Sequence, residues 1–391
     1  MRPHASPSAR SRWGRAALAA SALAGLSALA PLVSPEPAEA CGAFFRESVA
    51  VVRRPSLQHE QVLLVHDEAA GRQHFVRELA FAAGPEPFGF VVPTPSRPEV
   101  AKVTKSPFDK LRDTFRFEAP KPDGKGRGAG IGLGSVGGFG HGGSSGVRVL
   151  EVKKVGSFTS FVIQATDEKG FSRWLESNKL TKSTENEAWL GHYVRLGFYF
   201  VALRYDPPPD GDAALVEPGP ARGQGISLGS TTGPPPKVVK AETVRISFDA
   251  PLPYYPYQEP APTQGAPRPP RLMELWLVTS EPRQPVAART EAGVTKWLRP
   301  LREGQRHASA RAALETALAG SELAALLPKG ELVVQTFQDQ KRQRPGMGDM
   351  LFPTERRREL SPAEVAKLEP LLGLLDPSLL PAAAPQGKGA P

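Results

Sequence analysis

Glu60-Gln-Val-Leu-Leu-Val-His66 and Gln73-His-Phe-Val-Arg-Glu-Leu-Ala-Phe81 decide the fold class of this chain. Both stretches are rich in branched and aromatic residues, which pack well on a pleated surface. Asp67-Glu-Ala-Ala-Gly-Arg72 between them is polar and holds a glycine, so the pair reads as a β-hairpin. Working outward, residues 47–53 read as a short strand before it. Phe88-Gly-Phe-Val-Val92 reads as a strand after it, stopped by Pro93 and Pro95, which cannot donate to a sheet ladder. Residues 107–117 then place Phe108, Leu111 and Phe115 on one helical stripe, with Pro107 at a tolerated first-turn position.

Twelve of the 23 residues from Gly124 to Gly146 are glycine. Such a stretch has too little apolar surface to offset the entropy of ordering it, so a flexible linker is expected there. Strand character resumes with residues 148–155 and 157–166 around Gly156. Phe171, Trp174 and Leu175 fall on one face of a helix. Thr184-Glu-Asn-Glu187 has the capping-box form and opens a second helix with Trp189, Leu190, Tyr193 and Val194 on one face. Gly197 suits its C-terminus. Residues 198–205 are apolar on both strand faces, which predicts a central, covered strand. Further strands are expected at 238–248, 272–279 and 331–337, and helices at 308–318 and 362–375. Residues 207–236 read as a second long Pro/Gly loop. Short strands and helices alternate irregularly, with no repeat of fixed period. The expected class is α+β: antiparallel or mixed β-sheet rich, with a few packed helices and long Pro/Gly loops.

The N-terminus reads as an export signal. Arg2, Arg10, Arg12 and Arg15 form a positive region, residues 16–33 are apolar and uncharged, and Ala38-Glu39-Ala40 puts small residues at −3 and −1 before Cys41. Cleavage between Ala40 and Cys41 is the expected outcome. A membrane anchor is the first alternative, but the run is Ala-rich and meets Pro31 near its end. Lipidation of Cys41 is the second; Glu39 and the Pro-rich approach count against it. No apolar run after Cys41 is long enough for a transmembrane segment. The expected organisation is a signal peptide over 1–40, a β-rich part over 41–118, the Gly-rich linker over 119–146, an α+β part over 147–375 and a disordered tail over 376–391. The expected location is periplasmic or extracellular.

The formal charge is +9, and removing residues 1–40 takes away four Arg and two Glu and leaves +7. This excess favours an anionic envelope surface as a contact. The basic residues are scattered and no recognition motif accompanies them, which excludes a nucleic-acid footprint. The chain's one cysteine cannot form an internal disulfide, so Cys41 is a free thiol, a lipid site or a point of pairing between chains.

Several pieces, in order, resemble one family of exported bacterial proteins, domain of unknown function 2330. They are Ala40-Cys41-Gly42-Ala43-Phe44-Phe45, Phe88-Gly-Phe-Val-Val-Pro-Thr-Pro95, Trp174-Leu175, Tyr193-Val194, Phe200-Val-Ala202, Arg245-Ile-Ser-Phe248 and Tyr255-Pro256. The likeness runs from about Cys41 to at least Tyr257. Many members carry a second Cys directly after the Phe pair, where this chain has Arg46. The resemblance implies export and a shared fold. It implies no activity, because the family is uncharacterised.

Candidate chemistry is sparse. Gly132-Leu-Gly-Ser-Val-Gly137 matches a dinucleotide pattern, but it lacks the preceding strand and following helix that the pyrophosphate needs, so no cofactor is expected. Gly142-Gly-Ser144-Ser-Gly146 matches a nucleophile-elbow string without the strained strand-to-helix turn. His59, His66 and His74 fall in the first hairpin. A turn centred near Ala70 would set His66 opposite His74, a weak metal candidate with Asp67 or Glu60. His192 borders an apolar helix face and reads as a hydrogen-bonded packing residue rather than a base, because no nucleophile accompanies it. Pro253-Tyr-Tyr-Pro-Tyr257 reads as a rigid strand exit whose rings cover the core, with an aromatic ligand platform as the alternative. Pro267-Arg-Pro-Pro-Arg271 reads as an extended linker, and Arg356-Arg357-Arg358 and residues 341–344 as solvated basic runs. The expected function is that of a non-enzymatic, envelope-associated or secreted structural or binding protein. The alternative is an extracytoplasmic hydrolase acting on peptides or glycans, its site assembled from distant residues.

Overall fold

The computed structural model describes residues 43–46, 56–82, 88–117, 146–156, 158–178, 180, 184–205, 215–216, 238–240, 243–258, 260, 272–291, 294–298, 301–339 and 347–355. The expected signal peptide over 1–40, Cys41, residues 119–145 of the expected linker, the expected tail over 376–391, residues 47–53, 341–344, 356–358 and 362–375 and the Pro267–Arg271 motif lie outside these residues.

In chain order the first elements are β1 (Ala43–Arg46), β2 (Ser56–Asp67), β3 (Arg72–Ala82), β4 (Phe88–Thr94), β5 (Glu99–Lys102), α1 (Phe108–Thr114), β6 (Val147–Val155), β7 (Phe158–Ala165), α2 (Glu168–Ser177), α3 (Thr184–Arg195) and β8 (Tyr199–Tyr205). They are followed by β9 (Leu215–Val216), β10 (Val238–Lys240), β11 (Val244–Asp249), β12 (Tyr254–Tyr255), β13 (Leu272–Thr279), β14 (Val286–Glu291), β15 (Val294–Leu298), β16 (Arg302–His307), α4 (Arg311–Ala317), β17 (Val333–Asp339) and β18 (Met347–Leu351). A 3-10 turn spans Glu322–Leu326. The class is α+β.

Three sheets carry these strands. The first is antiparallel, in the order β1-β4-β8-β7-β6. The second runs β16-β17-β13-β2-β3-β10-β9, with β11 also on β3 and β5 on β11; its β13–β2 pairing is parallel. The third is β12-β18-β14-β15. The first sheet therefore joins β1 and β4 to strands that follow residues 119–146, and the second does the same for β2 and β3.

Alternation assigns the faces. In β8, Phe200 and Ala202 share a face with Ile163 and Phe161 of β7. That face is covered by α2, whose Phe171 ring lies 4.5 Å from Phe200 and whose Trp174 lies 5.2 Å from Phe161. Asp167 caps α2 by accepting from the Gly170 amide at 2.5 Å. Val201 and Leu203 point the other way, with Phe90 and Val92 of β4, toward the second sheet. Arg77 of β3 crosses that join, its guanidinium 5.3 Å from the Phe90 ring centroid. The far face of the second sheet, with Leu63, Val65, Val76, Trp276 and Val334, is buried under Phe108 and Leu111 of α1 and Leu314 of α4. The result is helix, sheet, sheet, helix, with β2, β3 and β13 buried on both faces.

Two local expectations are corrected. β4 does not stop at Pro93 but continues to Thr94, with Pro93 opposite Phe200. The first residue of β1, Ala43, lies opposite Val91, so among the described residues β4 has no neighbour on that side beyond Val91, a position that tolerates proline. The strand expected at 238–248 is two strands, β10 and β11, which bind successive lengths of β3.

Candidate functional site

The hairpin register settles where the two candidate histidines go. His66 pairs with Gln73 and Val65 pairs with His74, so the two imidazoles leave opposite faces of the second sheet. The turn occupies residues 68–71, with Gly71 at φ +60°, half a residue from the centre that would have set them side by side. A one-residue slip moves every side chain to the other face. The shared His66–His74 site is therefore corrected. Among the described residues there is no group of three or more His, Cys, Asp or Glu that could hold a metal ion.

Each histidine is a packing group. His66 is buried and its Nε2–H donates to the Ala250 carbonyl at 2.8 Å. Burial, with the nearby Arg283 charge, lowers its pKa to about 4. His74 Nδ1 lies 2.8 Å from Ser247 Oγ on β11, and burial, Arg245 and Arg72 lower its pKa to about 4. Ser247 in turn faces Glu99 of β5, so histidine, serine and glutamate form one row across three strands. The serine lies in mid-strand and is only 1% exposed. Its ladder amides are committed to neighbouring strands rather than gathered as oxyanion donors. His59 instead meets Glu274 at 3.0 Å, a carboxylate that Arg112 of α1 also holds at 2.7 Å. His192 packs its ring edge-on to Tyr193 at 5.2 Å, but its buried Nε2 has no hydrogen-bond partner, so the hydrogen bond expected there is not made at that atom.

The Pro253–Tyr257 segment covers the core, as its bland reading predicts, and does so through three buried carboxylates. Tyr254 donates to Asp349 at 2.5 Å, Tyr255 to Glu60 at 3.0 Å and Tyr257 to Asp339 at 2.9 Å. Those acids sit on β18, β2 and β17, so the segment ties the second and third sheets together. Tyr193 of α3 also donates to Asp349 at 2.9 Å, and Arg77 pairs with Glu60 at 2.9 Å. Burial raises the Asp349 pKa to about 6, although Tyr254, the Gln258 amide and Tyr193 all donate to its charged form. These acids are buried and act as structural joints.

The open site lies elsewhere. A groove of about 400 Å³ is lined by Gln284, Pro285, Leu301, Glu303 and Glu355. The lining residues Gln284 and Glu355 each adjoin the antiparallel bridge of Arg283 with Thr354, and Gln284 N donates to Pro353 O at 3.0 Å. Its side is β16, the edge strand of the second sheet. Gln335 of β17 fixes the interior by bonding Arg283 N at 2.7 Å, Arg283 O at 2.8 Å and Glu303 Oε1 at 2.8 Å. Arg306 clamps both glutamates: Nε and Nη2 reach Glu303 at 2.7 Å each, and Nη1 and Nη2 reach Glu355 at 3.0 and 2.5 Å. Burial pushes the Glu303 carboxyl up, but the hydrogen bonds from Arg306 and Gln335 outweigh it and hold the pKa below the ordinary value. The same bonds raise that of Arg306. Sequence reasoning missed this groove. Its one local signal is Glu303 three residues before Arg306; Glu355 is remote in sequence.

Residues 35–216 match the model of a family described as an uncharacterized protein conserved in bacteria (DUF2330). That segment belongs to the DUF2330 family. No curated protein matches the chain, and no solved structure does. The DUF2330 match takes in β4, α2, α3 and β8, where the Phe-Gly-Phe-Val-Val-Pro, Trp-Leu, Tyr-Val and Phe-Val-Ala pieces lie. It ends before Arg245–Phe248, before the tyrosine segment and before the groove.

Proposed function

We propose that this chain is an exported bacterial envelope protein with a binding or structural role, and that the groove at Glu303 and Glu355 is its ligand site. The groove carries the binding half of this reading. It has a volume suited to a small ligand, one apolar wall and a few fixed polar groups, the usual anatomy of such sites. Both walls stand on sheet strands or bridged segments, which hold a site more precisely than free loops. Export rests on the Arg-rich start, the apolar run and Ala38-Glu39-Ala40. Among the described residues no helix is long and apolar enough to cross a membrane. The +7 charge left after cleavage favours contact with anionic envelope lipids or glycans. Intact-mass measurement of the protein recovered outside the cytoplasm tests the export half. A chain starting at Cys41 is expected; one retaining Met1, or bearing a diacylglycerol on Cys41, overturns simple secretion.

One contact favours a second reading, an extracytoplasmic hydrolase: the 2.8 Å approach of His74 to Ser247. A fluorophosphonate probe distinguishes the two. Labelling of Ser247 that is lost in His74→Ala establishes the hydrolase, and an unlabelled Ser247 is the expected result.

A further inference from the structure

Resting on the groove as a ligand site, we propose that the group it takes is an organic cation, an ammonium or guanidinium on a short apolar stem. Charge gives the first argument. Glu303 and Glu355 bring two negative charges and Arg306 one positive, so the clamp keeps one net negative charge beside the cavity. Arg306 already spends Nε, Nη1 and Nη2 on the two carboxylates, so among the lining side chains an anion meets the neutral Gln284 amide as its donor and no free cation. Acceptor capacity gives the second. An ionised carboxylate offers about four lone-pair positions. Glu303 fills three, with Arg306 Nε, Arg306 Nη2 and Gln335 Nε2, whereas Glu355 fills two, both with Arg306. The free acceptors therefore concentrate on Glu355, whose side chain is 37% exposed. Shape gives the third. Leu301 and Pro285 are buried groups that line the same cavity, so a stem of a few methylenes can lie on them while its charged end reaches Glu355. A bare divalent ion makes no use of that apolar wall. Nor does it fit a pair of carboxylates already bridged by a guanidinium, since calcium and magnesium take six or more oxygen ligands and zinc takes three or four protein ligands.

The test uses the full chain and four probes of one size: n-butylammonium, n-butylguanidinium, butyrate and 1-butanol, read by saturation-transfer NMR and titration at low salt. Both cations are expected to bind, with butyrate at least tenfold weaker. Glu355→Gln, which keeps one acceptor for Arg306 and whose melting profile is measured alongside, is expected to weaken the cations at least tenfold. Leu301→Trp, which fills the cavity, is expected to block every probe. Butyrate or butanol binding as well as the cations, and lost in Leu301→Trp, overturns the cation assignment and leaves the groove a ligand site. Cation binding indifferent to both substitutions overturns the groove as well. Absence of cation binding to the unaltered chain up to tens of millimolar overturns the proposal outright.

Discussion

Tyr193 of α3 donates its hydroxyl to Asp349 of β18 at 2.9 Å, a buried bond between the DUF2330-matched segment and the part of the chain beyond it. Tyr254 and the Gln258 amide close on the same carboxylate at 2.5 and 2.9 Å. A helix, the tyrosine segment and the third sheet thus meet at one acid. The charge on that acid is costly because the carboxylate is buried, which is why its pKa rises to about 6.

The first prediction follows from linkage at Asp349. Between its ordinary value near 3.8 and about 6, the folded chain keeps a proton that the unfolded chain has released. Stability from this group is therefore present below pH 4 and falls as pH rises to 6, by about 3 kcal/mol at 1.36 kcal/mol per unit. Asp349→Asn removes the slope. In urea unfolding, the advantage of the unaltered chain over the variant should be about 3 kcal/mol larger at pH 4 than at pH 7.5. A difference that does not move with pH would show the acid to be ordinary.

His66 acts in the opposite sense. Its folded pKa of about 4 lies below the ordinary value of 6.5, so over that window the unfolded chain takes up a proton the folded chain refuses. Its contribution is complete above pH 6.5 and is lost as pH falls to 4, again by about 3 kcal/mol. His66→Gln keeps a donor for the Ala250 carbonyl and cannot titrate. It should make the acid limb of the stability profile shallower, with the share of His74 remaining, where Asp349→Asn makes it steeper, and the double variant should lose both of these contributions.

These two groups mark what the sequence could and could not say. The hairpin of β2 and β3 was legible because branched residues fill it, and β8 because its apolar residues face both ways. β16, with Arg302, Glu303, Gln305 and Arg306, has no apolar alternation and is a strand only because β17 pairs with it. β12 is two residues long. The His66–His74 pairing failed on turn register, which no composition rule sets. The clamp at the groove failed on distance along the chain: Glu355 approaches Glu303 and Arg306 only once the second and third sheets are in place. The YYPY segment shows the reverse case. Its rings were legible as core, while the three acids that receive their hydroxyls come from three separate strands.

The buried pair of Arg77 with Glu60 gives a third prediction. Both are essentially unexposed, at 2.9 Å, with Tyr255 also donating to Glu60. Removing one partner of such a pair leaves a buried charge and costs about 3–5 kcal/mol. Arg77→Met should lower stability by that amount, and Arg77→Met with Glu60→Gln should recover most of it. No recovery in the double variant would place the loss in the packing of Arg77 on Phe90 instead.

The last prediction concerns Trp189. It is 3% exposed, stacks edge-on with Tyr193 at 4.9 Å, and donates its indole N–H to the Gln258 carbonyl at 3.0 Å. It therefore fastens α3 to the stretch of chain that also delivers the tyrosines. Truncation removes a large buried ring and leaves that carbonyl without its donor. Trp-to-Ala changes in cores cost about 3–5 kcal/mol. Trp189→Ala should show this loss in urea unfolding, with a lower melting temperature and yield. Trp189→Phe keeps most of the apolar area but not the donor, so it should lose about 1–2 kcal/mol, the range of one buried hydrogen bond. The order Ala, Phe, unaltered chain in stability is what a core role requires. A Trp189→Ala chain of unchanged stability that fails to bind a glycan or peptide would instead make this ring a binding surface, where tryptophan is also a common anchor. The bond to Gln258 argues for the core: a recognition ring keeps its edge free, and this one has spent it.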